Sequence, residues 1–374
     1  MPPREILISA GEPSGEMYAA RLAAAVAART GARFFGLGGA RMHESGVELL
    51  ADLAAVSVVG ISEVVRRLPA VWRTYRQLAD EAARRRPALA ILVDFPDFNL
   101  RLARRLHAAG IPIVYFISPQ VWAWRPGRVH LIRRLVKRVL CIFPFEEKFY
   151  QSANVPVSYV GHPLVEVVRA RRTRAEFAAK YDLDATQPIV ALLPGSRRSE
   201  VALNLPRMME ACHLLERERA YQFVLAAAPG MTSTHFADYA RADVRLHVVE
   251  DATYDALAAA DCAIVSSGTA TVEAALLDAP MVVVYRVSGA TAMVARRLVR
   301  TPFFSMVNLI AGRRLVAELI QDDFTPQAVA REAKRLLELE EARREVRSGY
   351  TEVRSRLGAG GAIDRAADII AGML

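Results

Sequence analysis

At 374 residues, 53% hydrophobic and 24% charged, the chain has apolar material for two sizeable cores at roughly 150 residues per domain, which excludes the disordered and low-complexity classes. It holds no run of roughly 18 apolar residues and no basic stretch leading into an apolar core, so neither a spanning helix nor a secretory signal is expected, and Cys141, Cys212 and Cys262 are too few and too scattered for a disulfide framework or zinc site. The formal charge of +9 lies wholly in residues 1–165, where 22 Lys/Arg face 13 Asp/Glu, while residues 166–374 hold 27 of each; the first half is expected to meet an anionic partner.

Glu5–Ser9 reads as a strand and Ser14–Arg29 as a helix. The alternation continues through strands Arg33–Leu37, Ala88–Asp94, Ile113–Ser118, Val139–Phe143 and Val157–Val160. Such a βαβ series predicts a mostly parallel sheet covered on both faces, which receives ligands outside the carboxyl ends of its strands. The residues after each strand therefore decide the chemistry.

After the first strand, Ala10-Gly-Glu-Pro-Ser-Gly-Glu16 brings Gly11, Ser14 and Gly15 to a helix start, where backbone N–H groups and the helix dipole can receive an anion. It is neither GxGxxG nor a P-loop, and the competing reading is a tight turn capped by Ser14. Gly36-Leu-Gly-Gly-Ala-Arg41 has an arginine where the third glycine of a dinucleotide fingerprint belongs, so its small residues are read as close helix-on-strand packing. Between 56 and 76, Val64, Val65, Leu68, Val71 and Trp72 share a helical face among Arg66, Arg67, Arg73 and Arg76. That is the pattern of a membrane-facing interfacial helix, and also of an amphipathic helix packed on a sheet, with Pro69 interrupting it.

Asp94-Phe-Pro-Asp-Phe-Asn99 closes a central strand. Asp94 is thereby a candidate general base for an attacking hydroxyl, and Asp97 a cap for the next helix. Tyr115 to Arg128 sets aromatic surface beside Gln120, Trp122 and Arg125, which suits sugar, phosphate or nucleobase. A basic nucleic-acid-binding protein is the rival from another class, on a sequence pI of about 9.7 and that loop, though one such loop in an α/β pattern is weak support.

From Gly161 to about Thr173 the pattern breaks, as expected of a linker, and a second α/β set follows. Its strands are Ile189–Leu193, Gln222–Ala226, Val244–Val248, Cys262–Val265 and Met281–Val284, with helices over Glu200–Glu218 and Thr269–Leu277. The expected domains are residues 1–165, 166–357 and a C-terminal helix over 358–374 that packs back on the first. Leu193-Pro-Gly-Ser-Arg-Arg-Ser-Glu200 puts Ser196 and Arg197 where phosphates could sit. Ser266-Ser-Gly-Thr-Ala-Thr-Val-Glu273 offers a diphosphate seat at Gly268, Thr269 and Ala270, with Glu273 placed for a ribose diol. Asp182-Leu-Asp184 is formally a DxD but reads as a turn, and no metal or cofactor is called for.

Seven segments in order resemble the lipid-A-disaccharide synthases of Gram-negative bacteria. They are AGEPSGE at 10–16, DFPDFN at 94–99, SPQVWAWRPGR at 118–128, FPFEEKFY at 143–150, VGHPL at 160–164, LPGSRRSE at 193–200 and SSGTATVEAAL at 266–276. The resemblance implies a GT-B fold, two Rossmann-like domains facing a shared cleft. It implies transfer of 2,3-diacylglucosamine from UDP-2,3-diacylglucosamine to 2,3-diacylglucosamine 1-phosphate with inversion, on the cytoplasmic face of the inner membrane, in contact with its lipids and without nucleic acid. It implies Asp94 as base, Arg197 as a catalytic cation, and Ser196, Gly268, Thr269, Ala270, Glu273, Arg286 and Asn308 at the donor nucleotide. Gly11, Ser14, Gly15, Gln120, Trp122 and Arg125 are expected at the acceptor or its phosphate. Another UDP-sugar transferase or an epimerase of the same fold is the enzyme alternative.

Overall fold

A computed structural model describes residues 4–53, 61–124, 126–239, 243–289 and 301–374, without the side chains of 13, 61–68, 123 and 124. Arg125 and the side chains of Val64, Val65 and Leu68 lie outside the described residues. The chain divides into two compact units, residues 1–163 with 357–374, and residues 164–356.

The first unit is built on strands β1 (Glu5–Ala10), β2 (Arg33–Gly38), β3 (Val47–Asp52), β4 (Leu89–Val93), β5 (Ile113–Phe116), β6 (Arg138–Cys141) and β7 (Val157–Tyr159). They form one parallel sheet in the order β3-β2-β1-β4-β5-β6-β7. Every residue of Leu89–Val93 and Ile113–Phe116 is buried, as expected for central strands covered on both faces. The chain winds outward from β1 to β3, then returns to place β4 on the other side of β1. At that reversal the helices after β1 and β4 diverge to opposite faces, leaving a crevice at the carboxyl ends of these two strands.

The second unit repeats the logic. Its strands are β8 (Ile189–Leu193), β9 (Gln222–Ala226), β10 (Leu246–Val249), β11 (Cys262–Ser266), β12 (Met281–Tyr285) and β13 (Ala317–Ile320). The parallel order β10-β9-β8-β11-β12-β13 reverses between β8 and β11.

The last helix, Ala362–Ala371, belongs to the first unit, where it packs on the helix Pro13–Thr30 through buried Ile363, Ala366, Ala367 and Ile370. Arg29 adds ion pairs to Asp364 at 2.7 Å and Asp368 at 2.6 Å, but these are largely exposed and apolar burial supplies more of the hold.

The expected fingerprint near-match at 36–41 is a packing device. A Cβ on Gly36 would lie 1.8 Å from the Ile8 carbonyl oxygen of β1, and one on Gly38 would lie 2.3 Å from the Met42 sulfur. Because the obstacle at Gly36 is backbone, Gly36→Ala is expected to cost about 3 kcal/mol or more in urea unfolding. Gly127→Ala, with nothing within 4 Å of the added carbon, is expected to stay within about 0.5 kcal/mol of the parent.

Candidate active site

At the first crevice the backbone leaves β4 through two consecutive left-handed residues, Asp94 (φ 45°) and Phe95 (φ 49°), and leaves β5 through a third, Ile117 (φ 56°). Non-glycine residues in that region cost of order 1–3 kcal/mol each and persist only where the surroundings enforce them. The enforcement comes from Asn99, fully buried in the first turns of the helix Pro96–Ala108. Its amide nitrogen donates to the carbonyls of Asp94 (2.9 Å), Val93 (3.1 Å) and Ser9 (3.3 Å), and its oxygen accepts from the Ser9 hydroxyl at 2.7 Å. Tyr115 Oη donates to the same Asp94 carbonyl at 2.7 Å, and Asp94 N–H donates to the Ile117 carbonyl at 3.2 Å. One side chain thus ties the ends of β1 and β4 together and fixes the turn on which Asp94 stands.

Gly11 and Gly15 come to this turn. A Cβ on Gly11 would fall 2.0 Å from the Phe95 ring, and one on Gly15 would touch Asp94 Cβ at 3.7 Å. Their smallness lets the start of the helix Pro13–Thr30 pass close to Asp94, and Ser14 is exposed beside them. Ser14 does not cap that helix, whose N-cap is Glu12. Burial pushes the Asp94 carboxyl up to about 7; the nearby Glu12 charge adds to the rise, and the Phe95 amide opposes it. Stability and base function then pull in opposite directions. A carboxyl whose folded value is raised stabilises fully below its unfolded value, and that contribution is lost as pH rises through about 7.

Asp97 does not cap its helix; Phe95 is the N-cap, and the Asp97 carboxylate pairs with Arg128 at 2.5 Å. Gln120 is exposed after β5. Trp122 is held by a group that motif reasoning left without a role, the buried Glu146. One carboxylate oxygen of Glu146 accepts from Trp122 Nε1 (3.1 Å) and Ser118 Oγ (3.3 Å), and the other from Phe143 N–H (3.2 Å). Burial raises this carboxyl to about 7 against those donors. On the helix Ile61–Arg85, Val71 is partly buried against the core, whereas Trp72 is 57% exposed with the Arg76 guanidinium 5.5 Å from its ring centre.

The second unit has its own buried asparagine. Asn204 donates to the Pro194 carbonyl (2.9 Å) and to Ser266 Oγ (3.2 Å), and accepts from Arg286 N–H (3.0 Å), joining the ends of β8, β11 and β12. Beyond β11, Gly268 and Thr269 are exposed and Ala270 opens the helix Ala270–Leu276. Glu273 accepts from Tyr254 Oη at 3.0 Å, and burial raises its carboxyl while that bond lowers it. Tyr254, beginning the helix Thr253–Ala259, carries no motif signal and is an addition to the site. Arg286 Nη1 donates to the Gln321 carbonyl at 3.1 Å.

The remaining candidate residues meet partners within their own loops. The Ser196 amide is not presented to a ligand, since it donates to Glu200 at 3.0 Å, and the Glu200 carboxylate fills the space beside Gly195. Arg197 remains outward, 57% exposed. Asn308 is fully buried, its amide bonded to the Val316 carbonyl, Glu318 and the N–H groups of Leu315 and Val316, which fixes the shape of its loop. Asp184 of the formal DxD accepts from Thr186 N–H and Oγ1 at 2.8 and 2.6 Å, which makes it a turn residue.

The chain matches the family described as lipid-A-disaccharide synthetase over residues 6–368. It is 46% identical to the lipid-A-disaccharide synthase of Myxococcus xanthus (strain DK1622), over 100% of this chain and 98% of that protein. The chain belongs to the lipid-A-disaccharide synthase family. It is a glycosyltransferase of the GT-B type, two α/β units each on a parallel sheet. Its fold resembles the calicheamicin glycosyltransferase CalG4 (TM-score 0.60, 16% identity, 100% of this chain and 99% of that one). It also resembles the UDP-GlcNAc 2-epimerase from Neisseria meningitidis (TM-score 0.63, 11% identity, 98% and 99%). A fold shared by a transferase and an epimerase does not choose between them; the family does.

Asn99→Leu, similar in size but unable to bond, takes this donor from the Ser9 and Val93 carbonyls and this acceptor from the Ser9 hydroxyl, and leaves the Asp94 carbonyl to Tyr115 alone. It is expected to cost about 1–3 kcal/mol in urea unfolding and to lower kcat at least tenfold as the Asp94 turn relaxes. Steady-state kinetics at fixed saturation of both substrates read the second effect.

Proposed function

We propose that the enzyme transfers 2,3-diacylglucosamine from UDP-2,3-diacylglucosamine to the 6-hydroxyl of 2,3-diacylglucosamine 1-phosphate, giving a β(1→6) disaccharide 1-phosphate and UDP. The observation that carries this reading is the Asp94 carboxyl, on a turn whose backbone Asn99 fixes, at a crevice where burial raises it to about 7. A base matched to the working pH removes a proton most effectively in a transition state. As the acceptor oxygen bonds to the anomeric carbon, its proton passes to Asp94. The bond from that carbon to the diphosphate breaks, and its electron pair leaves with UDP. Attack from the face opposite the leaving group inverts the anomeric centre.

The second unit supplies the donor side. Arg197 and the exposed backbone at Gly268, Thr269 and Ala270 neutralise charge developing on the diphosphate, the role a metal ion plays elsewhere. Glu273, steadied by Tyr254, accepts from the ribose hydroxyls, Arg286 lines the end of β12, and the Ser196 hydroxyl completes the edge. Gly11, Ser14, Gly15, Gln120, Trp122 and Arg125 shape the acceptor side.

The acylated substrates reside in a membrane, and among the described residues no helix is long and apolar enough to cross one. Contact with the inner-membrane surface is therefore assigned to the helix Ile61–Arg85 with Val64, Val65, Leu68 and Trp72, whose arginines can add about 1 kcal/mol each near an anionic surface. Val71 contributes from the core side.

Asp94→Asn is expected to reduce UDP release from the two acylated substrates by at least about 10³-fold while leaving the cooperative unfolding transition intact. In the parent, kcat/KM should rise with pH and level off above about 7, and EDTA should leave the rate unchanged. Near-parental activity in Asp94→Asn would overturn the assignment of the base.

A further inference from the structure

The helices Pro96–Ala108 and Arg128–Leu135 of the first unit pack side by side and enclose a groove of about 230 Å³ between them. Asp97, Leu100, Arg101, Arg104, Arg128 and Leu131 line it. Buried Leu100 and half-buried Leu131 make an apolar floor. Three guanidiniums face one carboxylate, so the lining charge is +3 − 1 = +2. Only Arg128 is answered, through its pair with Asp97. Arg101 and Arg104, both exposed, make no ion pair or side-chain hydrogen bond among the described residues.

Two unanswered cations one turn apart on a helix repel each other, and a structure gains from such an arrangement when an anion arrives. The apolar floor lowers the local dielectric and strengthens that attraction. A phosphate monoester fits the chemistry. It carries close to two negative charges near neutral pH, matching the +2, and its oxygens can be gripped bidentately by several guanidiniums. A phosphodiester, with a single charge, would leave half the groove unanswered.

The groove also lies at the right edge of the sheet. The helix Pro96–Ala108 opens at the carboxyl end of β4, so Asp97 stands three residues beyond Asp94, and Arg101 roughly 6 Å of helix rise beyond Asp97. The helix Arg128–Leu135 follows the loop that carries Gln120 and Trp122.

We propose that this groove binds the phosphate of the acceptor, a sugar 1-phosphate, through Arg101, Arg104 and Arg128. The inference rests on the reading of the reaction given above and adds a specificity to it. The phosphate sits at the opposite end of the sugar from the 6-hydroxyl, so anchoring it orients that hydroxyl toward Asp94. It also lets the enzyme tell the phosphorylated acceptor from the nucleotide-linked donor.

The test compares the parent with Arg101→Gln/Arg104→Gln, using acceptor that carries or lacks the 1-phosphate. With the phosphorylated acceptor, the double variant should raise the acceptor KM at least tenfold, leave the donor KM within about twofold, and change kcat little. With 2,3-diacylglucosamine lacking the phosphate, the two enzymes should have the same kcat/KM. Arg101→Lys/Arg104→Lys, which keeps the charge and loses the fork, should fall between. Thermal unfolding should be unchanged, because these side chains are exposed and make no internal bond.

An unchanged acceptor KM in an active double variant would overturn the groove assignment and leave the reaction standing. A parallel rise in both KM values, with loss of sedimentation on phosphatidylglycerol vesicles but not on phosphatidylcholine vesicles, would overturn it in favour of bulk lipid recruitment. Absence of UDP release by the parent itself would sink the underlying reaction, and the groove assignment with it.

Discussion

The carboxyl edge of the sheet in each unit depends on one buried amide. Parallel strands end with their last carbonyls pointing out of the ladder, and at a reversal of strand order the flanking helices part and leave those groups without partners. In the first unit Asn99 bonds the carbonyls of Ser9, Val93 and Asp94 and the Ser9 hydroxyl; in the second Asn204 joins Pro194, Ser266 and Arg286. An amide is suited to this because it presents donors and acceptor on one small rigid group. Its removal leaves buried carbonyls unmet, which costs more than the bonds themselves contribute. The left-handed turn at Asp94 and Phe95 is held from the same point, so the strain at the site is sustained by the fold beneath it.

That geometry sets the electrostatics. Asp94 and Glu146 are both raised to about 7 by burial, yet they are arranged for different work. Glu146 is enclosed by three donors and serves to fix Trp122 and the loop after β5. Asp94 receives its restraint through its backbone carbonyl, which leaves its carboxyl for the base role proposed above. Holding a carboxylate where burial disfavours its charge costs stability as pH rises through about 7, where a base role needs the charged form. Part of the cationic surplus of the first half lies in the Arg101–Arg104–Arg128 groove, where Arg128 pairs with Asp97 and the other two make no ion pair among the described residues.

Much of this was legible in the sequence because it is written in short-range signals. Apolar runs of strand length mark eleven of the strands, and the loops after them are where a parallel sheet receives ligands. The edge strands Val47–Asp52 and Ala317–Ile320 escaped, since each is half-buried and carries acidic residues that blur the pattern. What the sequence does not display is partners distant in the chain or supplied by a neighbouring turn. Asp97 resembles a cap but meets Arg128, the Ser196 amide resembles a phosphate donor but meets Glu200, and Asn308 resembles a polar contact but is consumed by its own loop. A faint signal for Asn99 and Asn204 was present: asparagine is a poor helix former, so its place inside two helices that follow the decisive strands asked for a tertiary reason.

The proposed base at Asp94 rests on burial raising its carboxyl to about 7, and direct titration tests it. Carbon-13 NMR of side-chain carboxyls in the full chain, with Asp94→Asn used to assign the resonance, should show a midpoint near 7. A midpoint near the ordinary aspartate value of about 4 would contradict the account.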